Sequence, residues 1–186
     1  LLYGAKLNML FSQGQNVMFY LKDLPTDTSM QEFSRLYPIM NPSAIKSCAN
    51  LLRTGSELLT TFETILGRHN LSQGRFLTLI VMNRNPDVAD SPSCLADKIG
   101  VRRSTMTGLL DRLERDGLIK RLAGHPDRRK IGVQLTSSGR QVLADLLPDY
   151  YRNIAKIMAK LTEKERLDLT SLLGKVNQGL ATIKEV

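Results

Sequence analysis

The sequence predicts a mostly helical protein that carries one small β-hairpin. Leucine and other aliphatic residues recur at three- and four-residue steps along most of the 186 residues, which is the period of an α-helix with one buried face. Two short runs, 118–122 and 130–135, instead alternate apolar and polar residues as hairpin strands do. Aromatic residues make up only 5% of the chain, so we expect an aliphatic core. The length fits one domain, or one domain with an arm.

The first forty residues are predicted to form a weak amphipathic helix and a connecting arm. Residues 5–21 place apolar side chains on one helical face, namely Leu7, Leu10, Phe11, Met18 and Leu21, with Gly14 among them. Residues 22–42 contain three prolines among polar residues and are interpreted as the arm. The segment lacks the apolar run and cleavage site of a signal peptide.

Capping residues delimit the next four helices. Asn41-Pro42 predicts the start of a helix that continues to about His69. Ser72 is expected to cap a helix through Met82. Ser91-Pro92 opens a short helix that Gly100 ends. The fourth helix ends at Gly117, and its buried face is expected to contain Met106, Leu109, Leu110 and Leu113.

Two long helices are predicted after the hairpin. Thr136 starts the first, and Pro148 within it should produce a kink. Thr162 and Glu165 have the spacing of a capping box for the second helix. The two apolar seams consist of Leu143, Leu147, Tyr150, Ile154, Ile157 and Leu161, and of Leu169, Leu172, Leu173, Val176, Leu180 and Ile183.

The charge of the chain favours a polyanionic partner. The net charge is +8, and between Asp97 and Arg140 eleven Lys or Arg face five Asp or Glu, a net of +6. Most of the excess therefore falls in under a quarter of the chain, as expected of a nucleic-acid interface. Two cysteines in 186 residues do not make a disulfide framework, so we expect a cytoplasmic protein. No apolar run approaches the roughly 20 residues of a membrane helix.

The order short helix, turn, helix, hairpin predicts a winged helix-turn-helix domain that binds double-stranded DNA. The helix "RRSTMTGLLDRLE" would enter the major groove, with polar side chains near its amino end for bases and phosphates: Arg102, Arg103, Ser104, Thr105 and Thr107. Arg112 and Arg115 suit backbone phosphates or a salt bridge. A helix start rich in Ser and Thr is by itself usually only a cap, and a basic hairpin tip is usually only a solvated turn. Their occurrence together and in this order favours DNA binding.

The predicted wing is the stretch "LAGHPDRRKIGVQL", residues 122–135. Arg128 or Arg129 at its tip would enter the minor groove, whose narrow regions carry an enhanced negative potential. Lys130 belongs to the same basic cluster, and His125 is expected to touch phosphate. Asp127 would be repelled by DNA, so we expect it to hold a guanidinium such as that of Arg121 or Arg129.

The segment "LADKIGVRRSTMTGLLDRLERDGLIKRLAGHPDRRKIGVQLTSSGR" resembles the core of the MarR family of bacterial transcriptional regulators. The features that match are "LADKIGV", "STMTGLLDRLERDGLI", the Asp-Arg-Arg of the wing and "LTSSGR", in the family's order and spacing. The resemblance covers about residues 43–182. The chain departs from the family at Arg102, where Ser or Asp is frequent, and at Gly108, where a long basic residue is frequent; both leave the base contacts open.

The resemblance implies a homodimer that binds a roughly palindromic operator, usually as a repressor. It divides the chain into an N-terminal helix and arm (1–40), a dimerisation helix (41–70), the winged helix-turn-helix region (71–138) and C-terminal dimerisation helices (139–186). We expect the arm to extend the dimer interface. Members of the family are commonly released from DNA by small phenolic or otherwise amphipathic ligands. The apolar seams alone fit a core within one chain equally well, so the dimer depends mainly on the resemblance.

Other members respond to cysteine oxidation, and Cys48 lies about where their reactive cysteine stands. Those sensors also use tyrosines, for which this chain has Leu52 and Phe62. Our default interpretation of Cys48 is a packed core cysteine, because a reactive thiol needs a stabilised thiolate and only Lys46 lies nearby in sequence. Cys94 is interpreted in the same way.

The remaining alternatives are a constitutive architectural DNA-binding protein and an enzyme. No nucleophile–base pair, glycine-rich phosphate loop or paired carboxylates favour an enzyme. His69 and His125 are the only histidines and have no partners at metal-ligand spacing, so we expect no metal and no cofactor. Hydroxyl side chains at base-facing positions favour a sequence-specific regulator over an architectural protein.

Overall fold

The computed structural model describes residues 26–122 and 132–184. They form helices and one antiparallel pair of strands, in the order α1 (Asp27–Leu36), α2 (Pro42–Gly67), α3 (Gln73–Asn83), α4 (Pro92–Ile99), α5 (Arg103–Arg115), β1 (Ile119–Leu122), β2 (Gly132–Leu135), α6 (Ser137–Met158) and α7 (Glu163–Lys184). The chain divides into two compact units between residues 64 and 65. The predicted fold class, mostly helical with a small hairpin, is confirmed.

In the first unit, the predicted connecting arm is wrong in part, because residues 27–36 form helix α1. Thr26 caps it by accepting a hydrogen bond from the Ser29 N–H at 3.2 Å, and Asp27 lies in the first turn, where a negative charge is favourable. The prolines misled the interpretation because Pro25 and Pro38 flank the helix and do not interrupt it. The predicted helix over 5–21 lies outside the described residues.

Helix α2 begins as the sequence predicts. The Asn41 carboxamide oxygen accepts a hydrogen bond from the Ala44 N–H at 3.1 Å, and Pro42 occupies the first helical position, where the missing N–H costs nothing. Lys46 forms an ion pair with Asp27 of α1 at 2.9 Å. Only the carboxyl end of α2 is buried, at Ile65 and Leu66.

The second unit has an aliphatic core assembled from α3, α4, α5, the two strands and the start of α6. Its fully buried members include one or more residues of each element, such as Leu79, Leu95, Met106, Leu110, Leu113, Ile119, Val133, Leu143 and Leu146. Ser72 and Ser91 cap α3 and α4 as predicted, through hydrogen bonds from the Arg75 and Cys94 N–H groups. Gly100 ends α4 in the left-handed conformation at φ 76°, which glycine adopts without steric cost.

The strands pair in a register that joins Ile119 to Leu135 and Leu122 to Gly132. The backbone of Asp90, just before α4, extends this sheet by hydrogen bonds to Val133 at 2.8 and 2.9 Å. The Asp90 carboxylate accepts a hydrogen bond from the Lys98 ammonium at 2.7 Å, which is the largest cause that raises the pKa of Lys98. The root of the hairpin is thereby fixed to both ends of α4.

Helix α6 starts directly against the hairpin. The Thr136 N–H donates to the Leu118 carbonyl at 3.1 Å, and its hydroxyl donates to the Gly117 carbonyl at 2.8 Å. A β-carbon at Gly139 would lie 2.2 Å from the Leu118 carbonyl oxygen, so only glycine permits this approach. Arg140 forms an ion pair with Asp87 at 2.9 Å. These contacts account for Thr136, Gly139 and Arg140 in the segment "LTSSGR".

Helix α6 runs from Ser137 to Met158 through Pro148; the kink expected at Pro148 stays a prediction. The capping box before α7 is confirmed. The Thr162 N–H donates to the Glu165 carboxylate at 2.7 Å, and the Glu165 N–H donates to the Thr162 hydroxyl oxygen at 3.3 Å. Among residues 163–183 of α7, none is buried by the described part of the chain. The large apolar side chains that are exposed here are Leu167, Leu169, Leu172, Val176, Leu180 and Ile183.

Candidate nucleic-acid interface

Helices α4 and α5 form the helix-turn-helix, with Gly100 in the turn between them. The buried side chains of α5 are Met106, Leu110 and Leu113, which belong to the core of the second unit. Because these residues define the inward face, the rest of the helix surface is available to solvent. The buried face of α5 is the one that the sequence predicts, except that Leu109 is only half-buried.

The five side chains that the sequence predicts for DNA contact at the amino end of α5 are exposed. Arg102, Arg103, Ser104, Thr105 and Thr107 are all exposed. Arg102 occupies the capping position but makes no side-chain cap hydrogen bond, as expected where arginine replaces a capping residue. The structure therefore brings two guanidinium groups and three hydroxyl groups together at the end of one helix.

Thr107 has a local hydrogen bond that restricts its chemistry. Its hydroxyl donates to the Arg103 carbonyl at 3.0 Å. A hydroxyl has one proton to donate and two lone pairs to accept, so with this bond in place Thr107 offers an acceptor alone. While this bond persists, the hydroxyl has no proton left for a phosphate oxygen, which needs a donor.

The two arginines in the last turn of α5 differ from those in the first. Arg112 is exposed. The Arg115 Nε lies 3.8 Å from an Asp116 carboxylate oxygen in a mostly exposed pair. Asp116 also bonds to Arg75 of α3, whose guanidinium donates to it and to the Asn70 carbonyl at 2.9 Å. The carboxyl end of α5 is thus attached to the start of α3.

A cleft of about 370 Å³ lies beside this attachment. Leu71, Leu118 and Val142 supply its apolar lining, and His69, Asn70, Arg75 and Asp116 its polar lining. The Arg75 Nε is buried and has no hydrogen-bond partner within the described residues.

Arg121 on β1 connects the hairpin to α5. Its guanidinium donates to the Glu114 carboxylate at 2.5 Å and to Asp111, and its backbone N–H donates to Glu114 at 3.1 Å. The hydrogen bond to Asp111 is the largest cause that raises the pKa of Arg121 above its ordinary value, with the charge of Glu114 adding to it. Sequence reasoning assigned Arg121 or Arg129 to Asp127 because Asp127 lies in the same hairpin. For Arg121, the described partners are instead the two carboxylates of α5.

The tip of the predicted wing lies outside the described residues. This applies to His125, Asp127, Arg128, Arg129 and Lys130, so their predicted contacts remain predictions. The described strands are residues 119–122 and 132–135, which precede and follow this stretch in the sequence.

Cys48 is exposed and not packed in the core, so our default interpretation was wrong. It lies in the amino half of α2, whereas the buried residues of this helix are Ile65 and Leu66. The neighbouring Lys46 is paired with Asp27. Cys94 is half-buried in α4.

Within residues 26–122 and 132–184, no three His, Cys, Asp or Glu side chains are grouped so that they could hold a metal ion. Over the same ranges, no helix combines the length and apolarity needed to cross a membrane.

Comparison with known proteins assigns the chain to a family. The sequence profile of the MarR family matches residues 70–131. A homoprotocatechuate degradative operon repressor of Escherichia coli is 31% identical over 127 residues, which span 66% of this chain and 82% of the repressor. This chain belongs to the MarR family.

Two further relatives of this MarR protein extend the likeness. The transcriptional repressor YetL of Bacillus subtilis is 28% identical over 165 residues, which span 89% of this chain and 99% of YetL. The crystal structure of the Mycobacterium tuberculosis transcriptional regulator MosR in complex with DNA is 29% identical and has a TM-score of 0.55; the likeness covers 72% of this chain and 96% of that one. The resemblance that the sequence indicated is confirmed, and with it the winged-helix fold.

Sequence reasoning missed three structural features of this MarR protein. Asp111 and Glu114 were not assigned to Arg121, although their i, i+3 spacing places them side by side on α5. The Arg75–Asp116 pair joins residues that are 41 positions apart in the chain, and no local sequence pattern predicts it. Gly139 was quoted only as part of a motif, although it has a specific steric role.

Proposed function

We propose that this chain is a sequence-specific DNA-binding transcriptional repressor that binds a palindromic operator as a homodimer. The observation that carries the proposal is the exposed set of guanidinium and hydroxyl groups at the amino end of α5, outside its buried face. The DNA complex of MosR and the repressor names of YetL and the Escherichia coli relative support it.

In this proposal, the side chains of α5 divide between bases and backbone. Arg103 takes a guanine edge through two hydrogen bonds, Ser104 and Thr105 take bases or phosphates, and Thr107 accepts from a base amino group. Arg102 and Arg112 take phosphates, which fix the register on the duplex. At the wing, Arg128 or Arg129 enters the minor groove, while His125 and Lys130 contact phosphate. Asp127 orients a neighbouring arginine and does not touch DNA.

The homodimer explains the surface of α7. Six of its apolar side chains are more than a third exposed, from 38% at Leu169 to 73% at Ile183. Exposure of such a seam to water is unfavourable along a 22-residue helix, and another apolar surface that covers it would stabilise the protein. A second copy provides that surface, as the family implies. We propose that the chain consists of an N-terminal arm (1–40), a dimerisation helix (41–70), the winged helix-turn-helix region (71–138) and C-terminal dimerisation helices (139–186).

A small amphipathic or phenolic ligand is proposed to release the DNA. The cleft beside Arg75 has a volume within the range of small-molecule sites. A ligand there would have Leu71, Leu118 and Val142 for its apolar part and Arg75 for an acidic group. Because Arg75 also binds Asp116 at the end of α5, such a ligand would act on the helix that contacts DNA. The relative named for homoprotocatechuate degradation points to the same ligand chemistry.

One observation favours the alternative of a cysteine-oxidation sensor. The thiol of Cys48 is exposed, and exposed thiols are accessible to oxidants. In either form we propose that the protein acts in the cytoplasm, where the DNA is, and that it is not an enzyme.

Two substitutions test the proposal on a selected operator duplex and on an unrelated duplex of the same length. Thr107→Ala should lower affinity for the operator more than for the unrelated duplex, because it removes a base contact. Arg129→Ala should weaken binding to the operator without unfolding the protein. Thr170→Ala is the matched control, since its hydroxyl makes the same bond to a carbonyl four residues earlier, at 2.9 Å, but lies on α7. Equal losses on both duplexes for Thr107→Ala would reject base reading by Thr107, and unchanged affinity for Arg129→Ala would reject the wing contact.

A further inference from the structure

The proposed DNA-facing surface of α5 carries two carboxylates that DNA should repel. Asp111 follows Ser104 by seven residues, and Glu114 follows Thr107 by seven. Seven residues are nearly two helical turns, so each acid lies on the same face as one of the hydroxyl groups. The Asp111 side chain is 56% exposed and that of Glu114 36%. A duplex that docks on this face brings its phosphates towards both acids.

Arg121 is the cation that the fold provides for these acids. One guanidinium nitrogen bonds to Glu114 and another to Asp111. The backbone N–H of Arg121 also bonds to Glu114, so the side chain starts from a fixed point of β1. Because the backbone and the guanidinium of Arg121 are both held, its positive charge stays between the two negative charges. The Arg121 side chain is only 30% exposed.

We propose that Arg121 is a positioning residue for DNA binding, which covers the charges of Asp111 and Glu114 so that α5 can approach the phosphates. This inference rests on the proposed DNA-binding function. It differs from the usual role of an arginine in a wing, because Arg121 then acts through the two acids and not through a contact of its own with DNA. Leaving two uncovered carboxylates near the duplex should weaken binding to any sequence.

A comparison of four proteins tests this role: wild type, Arg121→Met, the pair Asp111→Asn with Glu114→Gln, and all three changes together. Methionine keeps the apolar stem and removes the charge. Affinity is measured by fluorescence anisotropy on the selected operator duplex, and far-UV circular dichroism checks folding. Lys120→Met is the matched control, because it removes one positive charge from the adjacent, exposed position of the same strand.

The proposal predicts that Arg121→Met weakens binding about tenfold in the wild-type background. In the background that lacks both acids, the same change should have an effect below about twofold. The pair without Arg121→Met should bind at least as tightly as wild type, which keeps the test decisive if Arg121→Met alone fails to fold. Lys120→Met should have the same effect in both backgrounds.

An equal loss for Arg121→Met in both backgrounds would overturn the proposal, since it would mean that Arg121 contacts DNA directly. Weaker binding by the pair would overturn it too, because the acids would then contribute to binding. Failure of the wild-type protein to bind any selected duplex would instead reject the proposed function itself, and this inference with it.

Discussion

The substitution Gly139→Ala tests the packing that joins the hairpin to α6. The added methyl group would lie 2.2 Å from the Leu118 carbonyl oxygen and 2.9 Å from a methyl carbon of Leu135. A normal contact needs α6 to move by about 1 Å, and the Leu118 atom that must give way belongs to the backbone. The same carbonyl accepts the Thr136 N–H at 3.1 Å, so the movement also strains that bond.

The expected loss follows from these contacts. Overpacking costs about 1–3 kcal/mol, and a weakened hydrogen bond adds about 1 kcal/mol. The higher helix propensity of alanine offsets this loss by up to about 1 kcal/mol. The net loss in the free energy of unfolding is about 1–4 kcal/mol, which lowers the midpoint of thermal unfolding by about 2–16 °C for a chain of this length.

Thermal unfolding followed by circular dichroism measures this loss, with Gly108→Ala as the matched control. Gly108 is also helical, but a β-carbon there meets nothing within 4 Å, so alanine should raise the free energy of unfolding by up to about 1 kcal/mol. Opposite signs for the two glycines are therefore expected. A Gly139→Ala protein as stable as wild type would refute the steric argument.

The remaining predictions concern α7, its capping box and the interface with DNA. Leu172→Asp should convert the proposed dimer to a single chain of 20.8 kDa in sedimentation equilibrium, while Lys175→Ala stays dimeric. The reason is that an apolar side chain that is 57% exposed in one chain would be covered in the proposed dimer; a wild type that sediments as one chain would contradict this. The Thr162 N–H and hydroxyl lower the pKa of Glu165 below its ordinary 4.5, so its contribution to stability is complete above pH 4.5 and is lost as the pH falls through the lowered pKa. Glu165→Gln should accordingly reduce the fall of the free energy of unfolding in acid, and an identical pH profile would count against the capping box. The logarithm of operator affinity should fall linearly with the logarithm of salt concentration, and each phosphate contact should add about −0.9 to the slope. A slope of zero would exclude phosphate contacts.

Local chemistry made most of the fold predictable. Ser72, Ser91 and the Thr162–Glu165 pair each act within four residues of the helix start that they mark, so the sequence alone contains the necessary information. The same holds for the exposed amino end of α5, because the spacing of Met106, Leu110 and Leu113 determines which residues face outward. Helix α1 was missed because the prolines on either side were taken to indicate an arm. The cap at Thr26, an equally local signal, indicates a helix.

The contacts that sequence reasoning missed are those between elements. Arg121 was assigned to an acid in its own hairpin, whereas its partners lie on α5 and are reached only once β1 packs beside that helix. Arg75 and Asp116, and Arg140 and Asp87, are likewise brought together by the core and not by sequence spacing. The exposure of Cys48 depends on which part of α2 enters the core, and this is decided by contacts with other elements and not by local sequence.

The most direct test of the proposed function is binding-site selection from random duplex DNA with the purified protein, followed by sequencing of the enriched pool. The account predicts an enriched inverted repeat whose half-sites are about one helical turn apart, because each copy of a dimer presents one α5 to the major groove. Tight binding without an enriched motif, or no binding at all, would contradict the claim that this chain is a sequence-specific dimeric regulator.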